Sequence, residues 1–250
     1  MKNYYTHHLI GNGFIFKNTQ WILVLLLLAI LLMSGCHSES KRQQQAFITY
    51  LNTEIINQRI VKTCSLTAQQ RQTFGPYAAN YDILFDFMNQ TTAALIQASG
   101  STNVVRLIQS DQDALQYRNE LLQEVATMDA LIATQHAISE ETHQKYQELT
   151  LPADVKNVFD AAYKKTVTPM DDTFTSLYAL SRDRVHLLLD MATILQNQGN
   201  RVHFQDDGKA VFTDPAAQRT YTDKKRALFD VQYQINPLIQ KMIEFIKTQQ

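Results

Sequence analysis

Glu140 and His143 stand three positions apart, the spacing that places both side chains on one helical face and lets paired motifs hold two metal ions in a bundle. Asp183 and His186 give a second, weaker version. Two such motifs share metals only if they meet. In an antiparallel hairpin turning at Leu151-Pro152, His143 and His186 differ by about 26 residues in distance from the turn, roughly 39 Å at ~1.5 Å per residue. That separation excludes a common site, so solvated helix faces are the expectation for His136, His143 and His186, and no metal centre or cofactor is expected.

Other chemistry is equally sparse. No G-x-S-x-G elbow, H-E-x-x-H helix, Cys-x-x-Cys pair, phosphate-binding Walker loop or glycine-rich dinucleotide turn occurs in the sequence. Nothing supplies an activated nucleophile or a matched acid and base, so the expectation is a protein without catalytic residues, not an enzyme. Tyr77, Tyr81, Phe85 and Phe87 gather after Gly75-Pro76. Aromatic side chains beside a kink either pack a core or line a ligand pocket or partner groove, and Tyr77, Tyr81 and Phe85 are the candidates for the latter. The pair Asp206-Asp207 before Gly208 reads as turn chemistry, because a calcium loop needs more oxygen ligands at regular spacing.

The N-terminus carries a different kind of chemistry. Residues 1–20 contain Lys2 and Lys17 and no acid, and Trp21 to Met33 is an unbroken apolar run of thirteen. Such a run reaches only about 20 Å as a helix, short of the ~30 Å hydrocarbon core, but it suits a secretory signal peptide. It is followed by Leu32-Met33-Ser34-Gly35-Cys36, which resembles the bacterial lipobox, with Met33 where the motif prefers leucine. That resemblance implies cleavage between Gly35 and Cys36 and acylation of Cys36; the competing reading is an uncleaved signal anchor. Several acyl chains at ~0.8 kcal/mol per buried methylene hold a protein on a bilayer, whereas one chain does not. His37 is not the aspartate of an inner-membrane retention signal, so the resemblance implies an outer-membrane anchor facing the periplasm. The expected division is a leader at 1–35, a lipidated cysteine with polar tether at 36–45, and a helical domain at 46–250. Without residues 1–35 the chain has 21 basic against 24 acidic residues. Cys64 is then the only thiol, expected to be buried because a lone cysteine cannot close an intrachain disulfide.

The elements that position these residues are helical. Glycine and proline together make up 12 of 250 residues, while 26 glutamines supply polarity without breaking helices. A net charge of −1 offers no basic field for nucleic acid. Phe47, Tyr50, Leu51 and Ile55 recur at helical spacing. Thr67-Ala68-Gln69-Gln70 is a capping box with Leu66 as its staple, and Gly75-Pro76 interrupts the helix it starts. Asn103 to Leu149 reads as one uninterrupted helix with Leu107, Ala114, Leu121 and Met128 every seven residues, ended by Leu151-Pro152. The next helix carries a seam from Met170 through Phe174, Leu177, Ser181, Arg184, Leu188 and Met191 to Leu195, with a kink expected at Pro169 and Arg184 expected beside Glu120. Beyond Gly199 the period changes to two, predicting a hairpin around Asp206-Asp207-Gly208 before a last helix that starts at Asp214-Pro215 and kinks at Pro237. The fold class is mainly all-α: an elongated bundle of long, kinked antiparallel helices with one small β-hairpin near the C-terminal helix.

The order of lipobox, Ala46 to Asn52 (AFITYLN), Leu66 to Tyr81 (LTAQQRQTFGPYAANY), long helices and Val202 to Phe212 (VHFQDDGKAVF) resembles the YiaF-like family of enterobacterial lipoproteins, a domain of unknown function. The likeness spans essentially the whole chain and is most specific at Phe74-Gly75-Pro76-Tyr77 and Tyr81. It implies a helical envelope lipoprotein and supplies no activity or catalytic residue. The expected function is a non-enzymatic interaction or envelope-accessory role, with the membrane as partner through Cys36 and a further envelope protein beyond it. The alternative is a carrier that encloses a lipid or apolar ligand between kinked helices. Oligomeric state stays open.

Overall fold

The computed structural model describes residues 38–59, 61–101 and 104–249. The leader, Gly35 and Cys36 lie outside them. Helix α1 (38–50) continues into a π-helical stretch at Leu51–Ile56, so residues 38–45, expected as a tether, are helical from Ser38 onward. The physical reason is local: Glu39 pairs with Arg42 and accepts from Gln43, and no glycine or proline interrupts the run. Lys165 donates to the carbonyls of Ile56 and Gln58, closing the end of the π-helical stretch.

Helix α2 (Ala68–Phe74) begins at the expected capping box, with Gln70 N–H donating to Thr67 Oγ1 at 3.2 Å and Thr67 N–H to Gln70 Oε1 at 2.8 Å. Gly75 has φ +55° and opens a 3₁₀ turn, Gly75–Tyr77. The positive φ disfavours larger residues there, and an added Cβ would also displace the flexible end of the Gln43 side chain, 2.5 Å away. Across it, Arg71 grips Asp82 with two bonds of 2.8 Å and folds α2 back onto α3 (Ala78–Ser101).

The long helix expected over 103–149 is three helices: α4 (Val104–Leu107), α5 (Asp111–Gln116) and α6 (Arg118–Gln147). A second capping box breaks it. Ser110 Oγ accepts from Asp113 N–H, while the Asp113 carboxylate accepts from the N–H groups of Gln109 and Ser110, which holds its pKa below the ordinary value. The heptad pattern hid the cap: Ala114, Leu121 and Met128 are buried as expected, but Leu107, before the break, is exposed.

Helix α7 (Ala153–Gln198) has 46 residues, about 70 Å of rise, and runs on through Pro169. It packs along both α6 and α8 (Pro215–Gln249). Tyr146 bonds Asp160, Ser139 bonds Asp171 and Arg182 pairs with Asp129, so α6 and α7 run antiparallel. This register lies about one to two turns from the one that would bring Arg184 to Glu120. Glu120 is exposed, and no ion pair among the described residues joins the two. Burial of larger seam residues on both sides, Phe174 and Leu177 on one and Leu188 and Met191 on the other, fixes this register.

Strands β1 (Val202–Phe204) and β2 (Ala210–Phe212) pair antiparallel, Val202 opposite Phe212 and Phe204 opposite Ala210. Gly208 turns the loop at φ +75°, and an added Cβ would lie 2.6 Å from Ser110. The hairpin thus sits on the α4–α5 break, with Gln112 N–H donating to Gly208 C=O and Ala210 N–H to Asp111.

The core is divided along the bundle. At one end Phe47, Leu51 and Ile55 meet Phe74, Tyr77, Tyr81, Leu84, Phe87, Val155 and Phe159. At the other, Met191, Leu195 and Tyr221 pack under Val202, Phe204 and Phe212. Among the described residues no helix is long and apolar enough to cross a membrane.

Glu124, on the buried face of α6, is an exception to this apolar filling. It is 6% exposed, has no hydrogen-bond or ion-pair partner among the described residues, and burial raises its pKa. A carboxyl whose folded-state pKa lies above the unfolded value of about 4.3 lowers stability once both states ionise, and the penalty disappears below that value. Its oxygens still reach water, so Glu124→Gln is expected to stabilise the fold by less than about 1 kcal/mol at pH 7. The gain should vanish toward pH 4 in thermal melts, and a glutamine variant that melts lower at pH 7 would refute the assignment.

Candidate functional site

Tyr77, Tyr81 and Phe85 follow the Gly75 break as expected, and packing decides their role. Tyr77 and Tyr81 are buried, and Phe85 is half-buried against the same cluster. Tyr77 stacks on Phe47 at 5.7 Å and Tyr50 meets Tyr81 edge-on at 5.5 Å. The Tyr81 hydroxyl donates to Cys64 C=O at 3.0 Å and accepts from Cys64 N–H at 3.2 Å, tying the loop before α2 to α3. Those two bonds hold the Cys64 backbone inward and leave its side chain outside: Cys64 is exposed, not buried, while Thr63 and Leu66 take the inner positions.

The clefts lie elsewhere. One, about 460 Å³, opens between α6 and α7. Its α6 wall carries Gln135, His136, Ser139, Glu140 and His143, and its α7 wall Tyr163, Val167, Asp171, Asp172 and Tyr178. The spacing of 135, 139 and 143, four residues at a time, places these α6 side chains in one row. Ser139 Oγ donates to Asp171, and Gln135 Nε2 lies 3.3 Å from the same carboxylate oxygen. That contact orients the amide, because the nitrogen must face the acid, and it leaves Gln135 Oε1 buried with no partner. The Tyr178 hydroxyl is buried and unpartnered as well. Burial pushes the Tyr178 phenol up to about 12, and burial with the nearby Asp171 charge does the same for Tyr163.

The sequence motif Glu140-x-x-His143 thus does face a cleft, with His136 beside it, while Asp183 and His186 do not line it. Among the described residues no three His, Cys, Asp or Glu side chains are grouped to hold a metal ion. His143 instead meets Gln147 at 2.7 Å. Asp171, Asp172, Gln135 and Tyr178 carry no motif; the adjacent acids after Pro169-Met170 were the one available signal.

A second cleft, about 310 Å³, lies where α7, α8 and the α4–α5 break meet. Ile108, Leu188, Met191 and Leu228 form apolar walls, and Phe229, 68% exposed, stands at its edge. Lys225 is paired with Asp111 at 2.8 Å and Lys209 with Asp207. Arg184, half-buried, has no ion pair among the described residues, and burial lowers its pKa from the usual value, though it remains charged. Tyr233, 81% exposed, follows Phe229 by one helical turn on α8.

Residues 24–250 match DUF3053, described as a protein of unknown function. The chain belongs to the DUF3053 family. The chain is similar to uncharacterized protein YiaF of Escherichia coli K12, 26% identical over 186 residues, which cover 73% of this chain and 77% of that protein. YiaF of Escherichia coli O157:H7 and of Shigella flexneri match to the same extent. No solved structure matches. The DUF3053 description carries no activity, ligand or partner.

Proposed function

We propose that the protein is an outer-membrane-anchored periplasmic lipoprotein, acylated at Cys36, that works by binding and not by catalysis, as an interaction or envelope-accessory protein. The observation that carries this reading is adjacency. The lipobox-like Leu32-Met33-Ser34-Gly35-Cys36 is followed at Ser38 by helix, leaving His37 as the sole intervening residue. A lipid on Cys36 would hold the helical domain against the bilayer surface without a free tether. The exposed Phe229 and Tyr233, a turn apart on α8, support binding as the activity.

The carrier reading is favoured by the second cleft, where apolar walls surround an unpaired arginine, a fit for an amphiphile with an anionic head. One experiment separates the two. A photo-crosslinking residue is placed at Phe229 in living cells, in the native chain and in Cys36→Ser, and adducts are identified by mass spectrometry. A discrete protein adduct that disappears with Cys36→Ser is the expected result. Adducts with lipid alone support the carrier, and a Cys36→Ser chain that stays with the membrane fraction overturns acylation as the anchor.

A further inference from the structure

The cleft where α7, α8 and the α4–α5 break meet holds a charge that nothing in the fold answers. Arg184 stands on α7 one turn before Leu188 and two before Met191, and all three line the cleft. The two other cations of the lining are engaged, Lys225 with Asp111 and Lys209 with Asp207. Three lining cations against two carboxylates leave one net positive charge, and it sits on Arg184. Among the described residues Arg184 has no hydrogen bond or ion pair, and burial alone shifts its pKa, so no carboxylate is near enough to compensate it. Its nitrogens are nevertheless not sealed from water. A guanidinium that has lost part of its hydration and gained no partner costs stability until an anion meets it.

The rest of the cleft is apolar, walled by Ile108, Leu188, Met191 and Leu228, with Phe229 exposed at its edge. Its volume, about 310 Å³, is at the small end of the range for ligand pockets and suits one acyl chain, not the two of a bilayer phospholipid. Gln44 bonds Asp154, which puts the first half of α1 beside the start of α7. Arg184 lies 30 residues beyond Asp154 on that helix, about 45 Å of rise. An occupant is thus held well away from the end of the domain that carries Cys36, as a single molecule and not as part of the bilayer.

We propose that this cleft binds a single-chain carboxylate of the fatty-acid class, its head on the guanidinium of Arg184 and its chain along Leu188, Met191 and Leu228 toward Phe229. The assignment rests on the carrier reading of this cleft and adds to it the head group and the number of chains. A guanidinium presents a planar fork that matches both oxygens of a carboxylate. A monoanion balances the one net charge, and the chain takes the place of water on the apolar walls.

The full chain in phosphatidylcholine nanodiscs is irradiated with decanoic acid carrying a diazirine near its methyl end, and adducts are mapped by mass spectrometry. Labelling centred on Leu188, Met191, Leu228 and Phe229 is expected, with the matching photoreactive decanol about tenfold weaker there. Arg184→Gln should lower labelling by the acid about tenfold, and Arg184→Lys about threefold, because an ammonium keeps the charge without the fork. Arg182→Gln, outside the cleft and paired with Asp129, should leave it unchanged. Arg184→Gln should also melt no lower than the native chain, since it removes an uncompensated charge. A lower melting temperature would reveal a structural partner for Arg184 and overturn the proposal. Equal labelling by acid and alcohol overturns the carboxylate assignment and leaves an apolar carrier standing, whereas a cleft labelled by neither probe overturns the carrier reading with it. Unlabelled lysophosphatidylcholine that competes better than decanoate moves the head to a phosphodiester and likewise overturns the proposal.

Discussion

Phe47→Ala is expected to lower the unfolding free energy by about 3–5 kcal/mol, a large share of the ~5–15 kcal/mol typical of a domain. Phe47 is fully buried, and its ring stacks on Tyr77 and meets Phe74 edge-on, both at 5.7 Å. The contacts join α1 to the 3₁₀ turn after Gly75, so truncation opens a cavity between elements and not within one. Urea unfolding followed by far-UV circular dichroism measures the change. A loss under about 1 kcal/mol would show that α1 lies outside the cooperative unit, and that the helix from Ser38 is held by something other than this aromatic cluster.

Asp111→Ala is expected to cost about 2–3 kcal/mol and to loosen the hairpin from the bundle. The Asp111 side chain is 9% exposed and receives two donors, Lys225 Nζ at 2.8 Å and Ala210 N–H at 3.0 Å. Lys225 is 39% exposed and reaches water when its partner is removed, so its share is small; the orphaned Ala210 N–H and the lost charge-assisted bond supply most of the effect. Asn at this position keeps an acceptor for Ala210 and should lose about half as much. Thermal melts give the magnitude, and amide hydrogen exchange at Ala210 locates it. If alanine leaves both the melt and the exchange at Ala210 unchanged, the bridge does not dock the hairpin.

The bond from Asp111 also marks where pattern reading failed. Asn103 to Leu149 carries apolar residues every seven positions, and that period alone is blind to a cap. Ser110 and Asp113 stand in the same order as Thr67 and Gln70, but with aspartate at the third helical position, and they break the helix where the hairpin lands. Gly208 and Ser110 then fit because neither leaves room for a larger neighbour. Cys64 failed for a related reason. Its burial depends on which way a loop is held, and the Tyr81 hydroxyl, 17 residues on, decides that.

The candidate site was legible only in part. Glu140, His136 and His143 stood out by type and spacing, and they do line a cleft, yet their partners come from across the bundle. Which residue of α7 faces Gln135 depends on the register of two helices, and an error of about one to two turns places Glu120, not the residues near Asp129, level with the Arg182–Arg184 stretch.

Local spacing was enough for the helical class, the capping box at Thr67, the break at Gly75-Pro76, the stop at Leu151-Pro152 and the Asp206-Asp207-Gly208 turn. These depend on side chains within about four residues of one another or on fixed backbone preferences, which a linear chain displays directly. The register of α6 on α7, the outward turn of Cys64, the seating of the hairpin and the residues that meet across the α6–α7 cleft were settled by packing between distant elements. Each of these follows from how bulky side chains more than ten residues apart interlock, and close packing permits one such arrangement where local spacing permits several.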